Sequence, residues 1–132
     1  MAWVTQQLER SANIAVVGLS PKVHRDSYRV AEYLQKVGYR IIPVTPKNVI
    51  ILEEQSFPDL RSVPVPIDIV DIFLRAELIP PVIDEAIEVG VSCIWMQDGV
   101  IHLGAAANAR DAGIQVVMDN CIMREHRLRF RS

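Results

Sequence analysis

Apolar residues recur along the chain in two alternating rhythms. Short unbroken runs, of which Ile14 to Val17 is the first, are too brief for a helix and suit strands covered on both faces. Between them lie stretches of helical period, such as Val30, Ala31, Leu34 and Val37. Gly38, Gly90 and Gly113 each close a helix-period stretch and lead straight into a β-branched run, the signature of a helix ended by a left-handed residue. The pattern predicts strands over 13–18, 39–44, 67–73, 91–96 and 114–118. Helices are expected near 4–10, from a cap at Asp26 or Ser27 to Gly38, from about Pro80, and over 104–112. The Pro-interrupted stretch 45–66 leaves room only for a short helix around 59–63, and the residues after Met118 read as a basic tail. Strands alternating with helices define an α/β fold: an open parallel sheet of about five strands with helices on both faces. The expected order is 3-2-1-4-5, with the winding reversing between strands one and four and the ligand site at the carboxyl ends beside that reversal.

At 132 residues the chain reads as a single domain over 1–132, large enough to bury a real core. Half of it is hydrophobic and its formal net charge is −2, which argues against disorder and against general affinity for nucleic acid. No run approaches the roughly 18 consecutive apolar residues of a membrane span, and the N-terminus lacks a basic leader, so a soluble protein of the cytoplasm is expected. Cys93 and Cys121 lack metal-ligand or redox spacing. Cys93 belongs to a core strand, and Cys121, beside Asn120 and the basic tail, is the more reactive candidate.

The stretch from Asn13 through Gly18 to Lys22 reads as a buried strand entering a glycine turn, with Ser20 as a hydroxyl donor and a helix N-terminus behind it. It is neither a G-x-G-x-x-G fingerprint nor a P-loop. Lys22, His24 and Arg25, with Arg29 a turn further on, form a cationic cluster suited to phosphate. After strand two the chain has Val44, Thr45, Pro46 and Lys47, where a nicotinamide-dinucleotide site carries an acidic residue for the ribose. A lysine there suits a ribose phosphate, as NADP or coenzyme A presents. At the end of strand four, Gln97 and Asp98 offer an amide and a carboxylate before Gly99. Asp71 lies inside a covered strand and is expected to hold a structural hydrogen bond. The three histidines show no ligand spacing, and the tail Arg124 to Arg131 is read as solvated and packed through Leu128 and Phe130.

Taken in order, 14–22, 26–31, 38–46, 70–73, 94–97 and 117–121 resemble the small stand-alone CoA-binding proteins, which are similar to the N-terminal CoA-binding domain of the succinyl-CoA synthetase α subunit. The resemblance covers about 13–126 and implies a Rossmann-like domain with coenzyme A across the strand ends. Carried over by position, its contacts fall on Gly18, Leu19, Ser20, Pro21 and Lys22, on Val44, Thr45, Pro46 and Lys47, and on Met96, Gln97 and Asp98. Phe73 and Leu74 take the place of a valine-proline pair, and Pro21 that of the synthetase's second loop glycine. The synthetase's later domain with its phosphorylated histidine has no counterpart here, so the resemblance implies binding without ligase chemistry.

The leading reading is a non-catalytic module binding CoA or acyl-CoA, as a carrier, sensor or regulator. Backbone N–H groups near Gly18 and Ser20 with Lys22 or Arg25 would hold the pyrophosphate, Lys47 the ribose phosphate, and Val44, Phe73 and Met96 the apolar parts. Changing Gly18 to valine is expected to abolish binding and leave much of the fold intact. One alternative is a small NADP-dependent or acyl-CoA-handling enzyme using Asp98 or Cys121. Another is an interaction protein reporting CoA status to an unidentified protein partner through the tail and 48–66. A mixed disulfide between Cys121 and CoA is a weaker variant. The apolar C-terminal residues leave a homodimer open.

Overall fold

Residues 2–130 are described by the computed structural model, and in them the two rhythms become layers. Five parallel strands form the sheet: β1 (Asn13–Val17), β2 (Arg40–Val44), β5 (Ile69–Ile72), β6 (Cys93–Met96) and β7 (Gln115–Val117). Between β2 and β5 lies a small antiparallel hairpin, β3 (Ile50–Ile51) with β4 (Glu54–Gln55). Strand residues alternate faces. Ile14, Val16, Ile41, Ile69, Cys93 and Trp95 pack beneath α1 (Ala2–Arg10), α2 (Asp26–Lys36) and α5 (Ile122–Arg129). Ala15, Val17, Ile42, Val70, Ile94 and Met96 pack beneath α3 (Ile79–Val89) and α4 (Leu103–Asp111). Gly90 and Gly113 adopt φ of +86°, as the glycine-closed joints require.

The strand order differs from the expected one. Predicted strand three is β5, and it pairs with β1 rather than β2, so the order is β2-β1-β5-β6-β7 and the winding reverses between β1 and β5. The reason is written in β2. Pro43 has no N–H to give a neighbour on its outer side, which suits only an edge strand. On that outer side Phe57 donates to Pro43 O at 2.9 Å and accepts from Thr45 N at 3.0 Å, so a single returning residue closes the edge. The chain then crosses the sheet to reach the other flank of β1.

Three further expectations are corrected. Residues 59–63 form no helix; Asp59 Oδ1 instead accepts from Ser62 N at 2.9 Å in a turn. Neither Asp26 nor Ser27 caps α2, whose N-cap is Arg25 without a side-chain bond. The tail is the helix α5, docked on α2 by a Tyr33 hydroxyl–His126 Nδ1 bond of 2.7 Å and by Arg127 stacked 4.8 Å from the Tyr33 ring. Phe130 packs on His126, whereas Leu128 is exposed; Arg131 lies outside the described residues.

Asp71 is the exception in the core. It stands in register with Val16 and Trp95 on the α1–α2–α5 face, fully buried, and neither carboxyl oxygen has a hydrogen-bond partner among the described residues, so the expected structural bond is not found there. Burial alone pushes its pKa well above the ordinary 3.8. A raised folded pKa means that the native state binds the proton more tightly than the unfolded chain. The carboxyl's contribution is therefore complete below its unfolded pKa and is lost as pH rises through the folded value. Replacing Asp71 by Asn should accordingly give a melting-temperature advantage that widens between about pH 5 and about pH 8. Thermal melts of both proteins across that range check this, and a pH-independent difference would contradict it.

Candidate functional site

The carboxyl ends of β2, β1 and β5 are joined at Gly18. Its N–H donates to Val44 O at 3.0 Å, while Phe73 N donates to Val17 O at 2.9 Å. Gly18 has a φ of +84°, and a Cβ built there would lie 2.3 Å from the Phe73 carbonyl oxygen. Only glycine fits both the backbone and the space. Beyond it the loop is held by two serines. Ser27 Oγ accepts from Ser20 N at 3.1 Å, and Ser20 Oγ accepts from Lys22 N at 3.1 Å. Each hydroxyl keeps its own proton for a further hydrogen bond. Of the backbone N–H groups near Gly18 and Ser20 expected to meet a pyrophosphate, those of Gly18 and Ser20 themselves are engaged within the fold.

These groups face a cavity of about 520 Å³ that also draws on Arg25, Thr45, Lys47 and the N-terminus of the eleven-residue α2. A helix N-terminus carries partial positive charge, and Lys22, Arg25 and Lys47 add three full ones without an ion-pair partner among the described residues. Lys47 is positioned by the hairpin region. Ser56 Oγ donates to Lys47 O at 2.8 Å and accepts from Val49 N at 3.0 Å. Asp26, the one acidic residue of the lining, pairs with Arg29 at 2.5 Å.

A second hollow of about 960 Å³ runs between α2 and α5, and Asp26 and Phe73 line both. Gln97 and Cys121 lie along it, with Val30, Tyr33 and Met123 as apolar wall. Asp98 sits at its rim in a two-pronged pair with Arg124, at 2.8 and 2.9 Å. The hydrogen bonds from Arg124 hold the Asp98 carboxyl below its ordinary value. Cys121 is buried at the N-cap of α5, and the Cys93 thiol, buried in the sheet, is pushed up to about 12 by desolvation.

Of the residues singled out from sequence, Gly18, Ser20, Pro21, Lys22, Arg25, Thr45, Lys47 and Phe73 converge on the first cavity, and Phe73, Gln97 and Asp98 on the second. Leu19, Val44 and Met96 do not reach either; all three are buried in the core, Val44 and Met96 because strand residues alternate faces and Leu19 from the turn beyond β1. Leu74 packs against the α3–α4 core, and Pro46 is exposed outside both cavities. His24 is exposed and also lies apart. Sequence reasoning missed Ser27, Val49 and the whole wall given by α5. The spacing Ile122, His126, Phe130 was the available signal for that helix. Among the described residues no cluster of His, Cys, Asp and Glu suits a metal ion, and no helix is long and apolar enough to cross a membrane.

Comparison with known proteins agrees with this fold. Residues 12–127 match the model of a family described as a CoA binding domain. The chain is 38% identical over 125 residues to the uncharacterized protein YneT of Bacillus subtilis, covering 95% of this chain and 93% of that one. A solved protein from Thermus thermophilus superposes with a TM-score of 0.95 at 29% identity, covering 98% of each chain. An ADP-forming acetate–CoA ligase of Archaeoglobus fulgidus is 28% identical over 81 residues, which is 60% of this chain but 12% of the ligase.

The clash at Gly18 changes what its replacement would do. Even Gly18→Ala should lower stability by at least about 1–3 kcal/mol, from the left-handed backbone and the displaced Phe73 carbonyl, so fold and site fail together. Denaturant unfolding of this variant checks it, and a midpoint unchanged from the parent would contradict it.

Proposed function

The chain belongs to the CoA binding domain family, and from that premise we propose that it binds coenzyme A or an acyl-CoA across its two joined cavities, without catalysis of its own. The observation that carries the reading is the arrangement of Lys22, Arg25 and Lys47 around the paired hydroxyls of Ser20 and Ser27, with Lys47 where a ribose-binding carboxylate would otherwise stand. Three cations and two oriented O–H donors match the pyrophosphate and ribose phosphate of CoA. The Ser20 and Ser27 hydroxyls with Lys22 and Arg25 hold the pyrophosphate, and Lys47 meets the ribose phosphate. The arm then passes Phe73, whose side chain lines both cavities, toward Gln97 and Asp98.

The enzyme reading is the less favoured one. Of its two suspects, Asp98 is committed to Arg124 and Cys121 is buried at the N-cap of α5. Residues 1–132 are read as one binding unit acting as carrier, sensor or regulator. The cytoplasm, where two unpaired thiols are stable, is its proposed location.

Calorimetric titration with CoA tests the reading. Saturation at about 100 times Kd should stabilise the fold by about 2.7 kcal/mol. Replacing Lys47 by Ala should weaken CoA about tenfold and leave 3′-dephospho-CoA unchanged, since only the former has the phosphate that Lys47 meets. Absence of both heat and thermal shift with CoA would sink the proposal.

A further inference from the structure

The α2–α5 hollow contains a donor whose direction the fold has fixed. Gln97 follows β6 and is 4% exposed, and Ile122 N, the first N–H of α5, donates to its Oε1 at 3.1 Å. An N–H group meets only the oxygen of a carboxamide, so the orientation of the amide is set by the protein. Its Nε2 has no partner among the described residues, yet it is not among the fully enclosed orphan atoms, as the Asp71 oxygens are. Gln97 lines the hollow, so this nitrogen opens on it. A nine-tenths buried amide that presents its N–H groups to a cavity is complementary to a carbonyl oxygen. The hollow has cations of its own, but Arg29 and Arg124 are paired with Asp26 and Asp98 and Arg127 stacks on Tyr33, whereas Lys22, Arg25 and Lys47 of the first cavity are left for phosphate.

Size points to which carbonyl. The hollow, at about 960 Å³, is nearly twice the 520 Å³ of the first cavity. The pantetheine arm that would enter it has fewer atoms than the phosphorylated nucleotide assigned to the smaller space. What remains is room for a short acyl group, with Val30, Tyr33 and Met123 as its apolar wall and charged side chains such as Glu32 and Lys36 around them.

Building on the CoA reading, we propose that the α2–α5 hollow is an acyl subsite, in which Gln97 Nε2 donates to the thioester carbonyl of an acyl-CoA. Free CoA lacks that carbonyl and binds without this bond. The hydrogen bond between Ile122 and Gln97 also couples the occupied subsite to the start of α5.

The test is a calorimetric series with 3′-phospho-ADP, CoA and acetyl-CoA on the parent chain and on Gln97→Glu. Glutamate keeps the acceptor that Ile122 needs and replaces the donor by an oxygen. The parent should bind acetyl-CoA about tenfold tighter than CoA; Gln97→Glu should remove that preference and leave 3′-phospho-ADP unaffected. Gln97→Met, which lacks both groups, should lose the same preference, guarding against an effect of introduced charge. Equal affinity of the parent for CoA and acetyl-CoA would overturn the acyl subsite. So would an equal loss for both ligands in Gln97→Glu, which would put an amide of the arm at Gln97. Binding of none of the three ligands by the parent would instead remove the CoA reading itself, and the subsite with it.

Discussion

The Phe73 carbonyl stands where Gly18 would carry a side chain, and the rest of the site depends on that close approach. It marks the place where the chain, having wound from β1 outward to β2, returns to the other flank of β1 as β5. Two adjacent strand ends then leave the sheet in different directions. The loop after Gly18 rises toward α2, and the segment after Phe73 leads away toward α3. The cleft between them is the crevice where open α/β sheets bind ligands. Phe73, at its floor, lines the cationic cavity on one side and the α2–α5 hollow on the other.

Around Gly18, Val44 O, the Ser27 hydroxyl and the Ser20 hydroxyl take the N–H groups of Gly18, Ser20 and Lys22. In the proposed CoA complex, recognition passes to side chains. Hydroxyl protons and mobile cations are cheaper to reorganise than a peptide loop, and Coulomb attraction to a multiply charged ligand acts before any contact forms. The hairpin of β3 and β4 buries Ile51 in the core, and Ser56, which follows β4, fixes the backbone that carries Lys47.

Much of this was legible in the residues. The glycine-closed joints at Gly38, Gly90 and Gly113 announced the α/β alternation, because a helix that ends in the left-handed region needs a residue without a Cβ. The convergence of Ser20, Lys22, Arg25 and Lys47 followed from placing them at strand ends. Strand order was misjudged although Pro43 carried the answer: a strand missing a donor on one side belongs at an edge. Helix α5 was misread as a tail because its charges hide an apolar stripe that is meaningful only once α2 is there to receive it. Burial states of Val44 and Met96 were beyond reach for a different reason. Which face a strand-end residue takes depends on register, and register is a property of the paired sheet.

A crystal structure of the chain with acetyl-CoA measures the central claim most directly. The pyrophosphate is expected among Ser20, Ser27 and Lys22, the ribose phosphate at Lys47, and the arm across Phe73 in the hollow between α2 and α5. A ligand seated away from the Gly18–Phe73 crevice, or with its phosphates in the α2–α5 hollow, would contradict it.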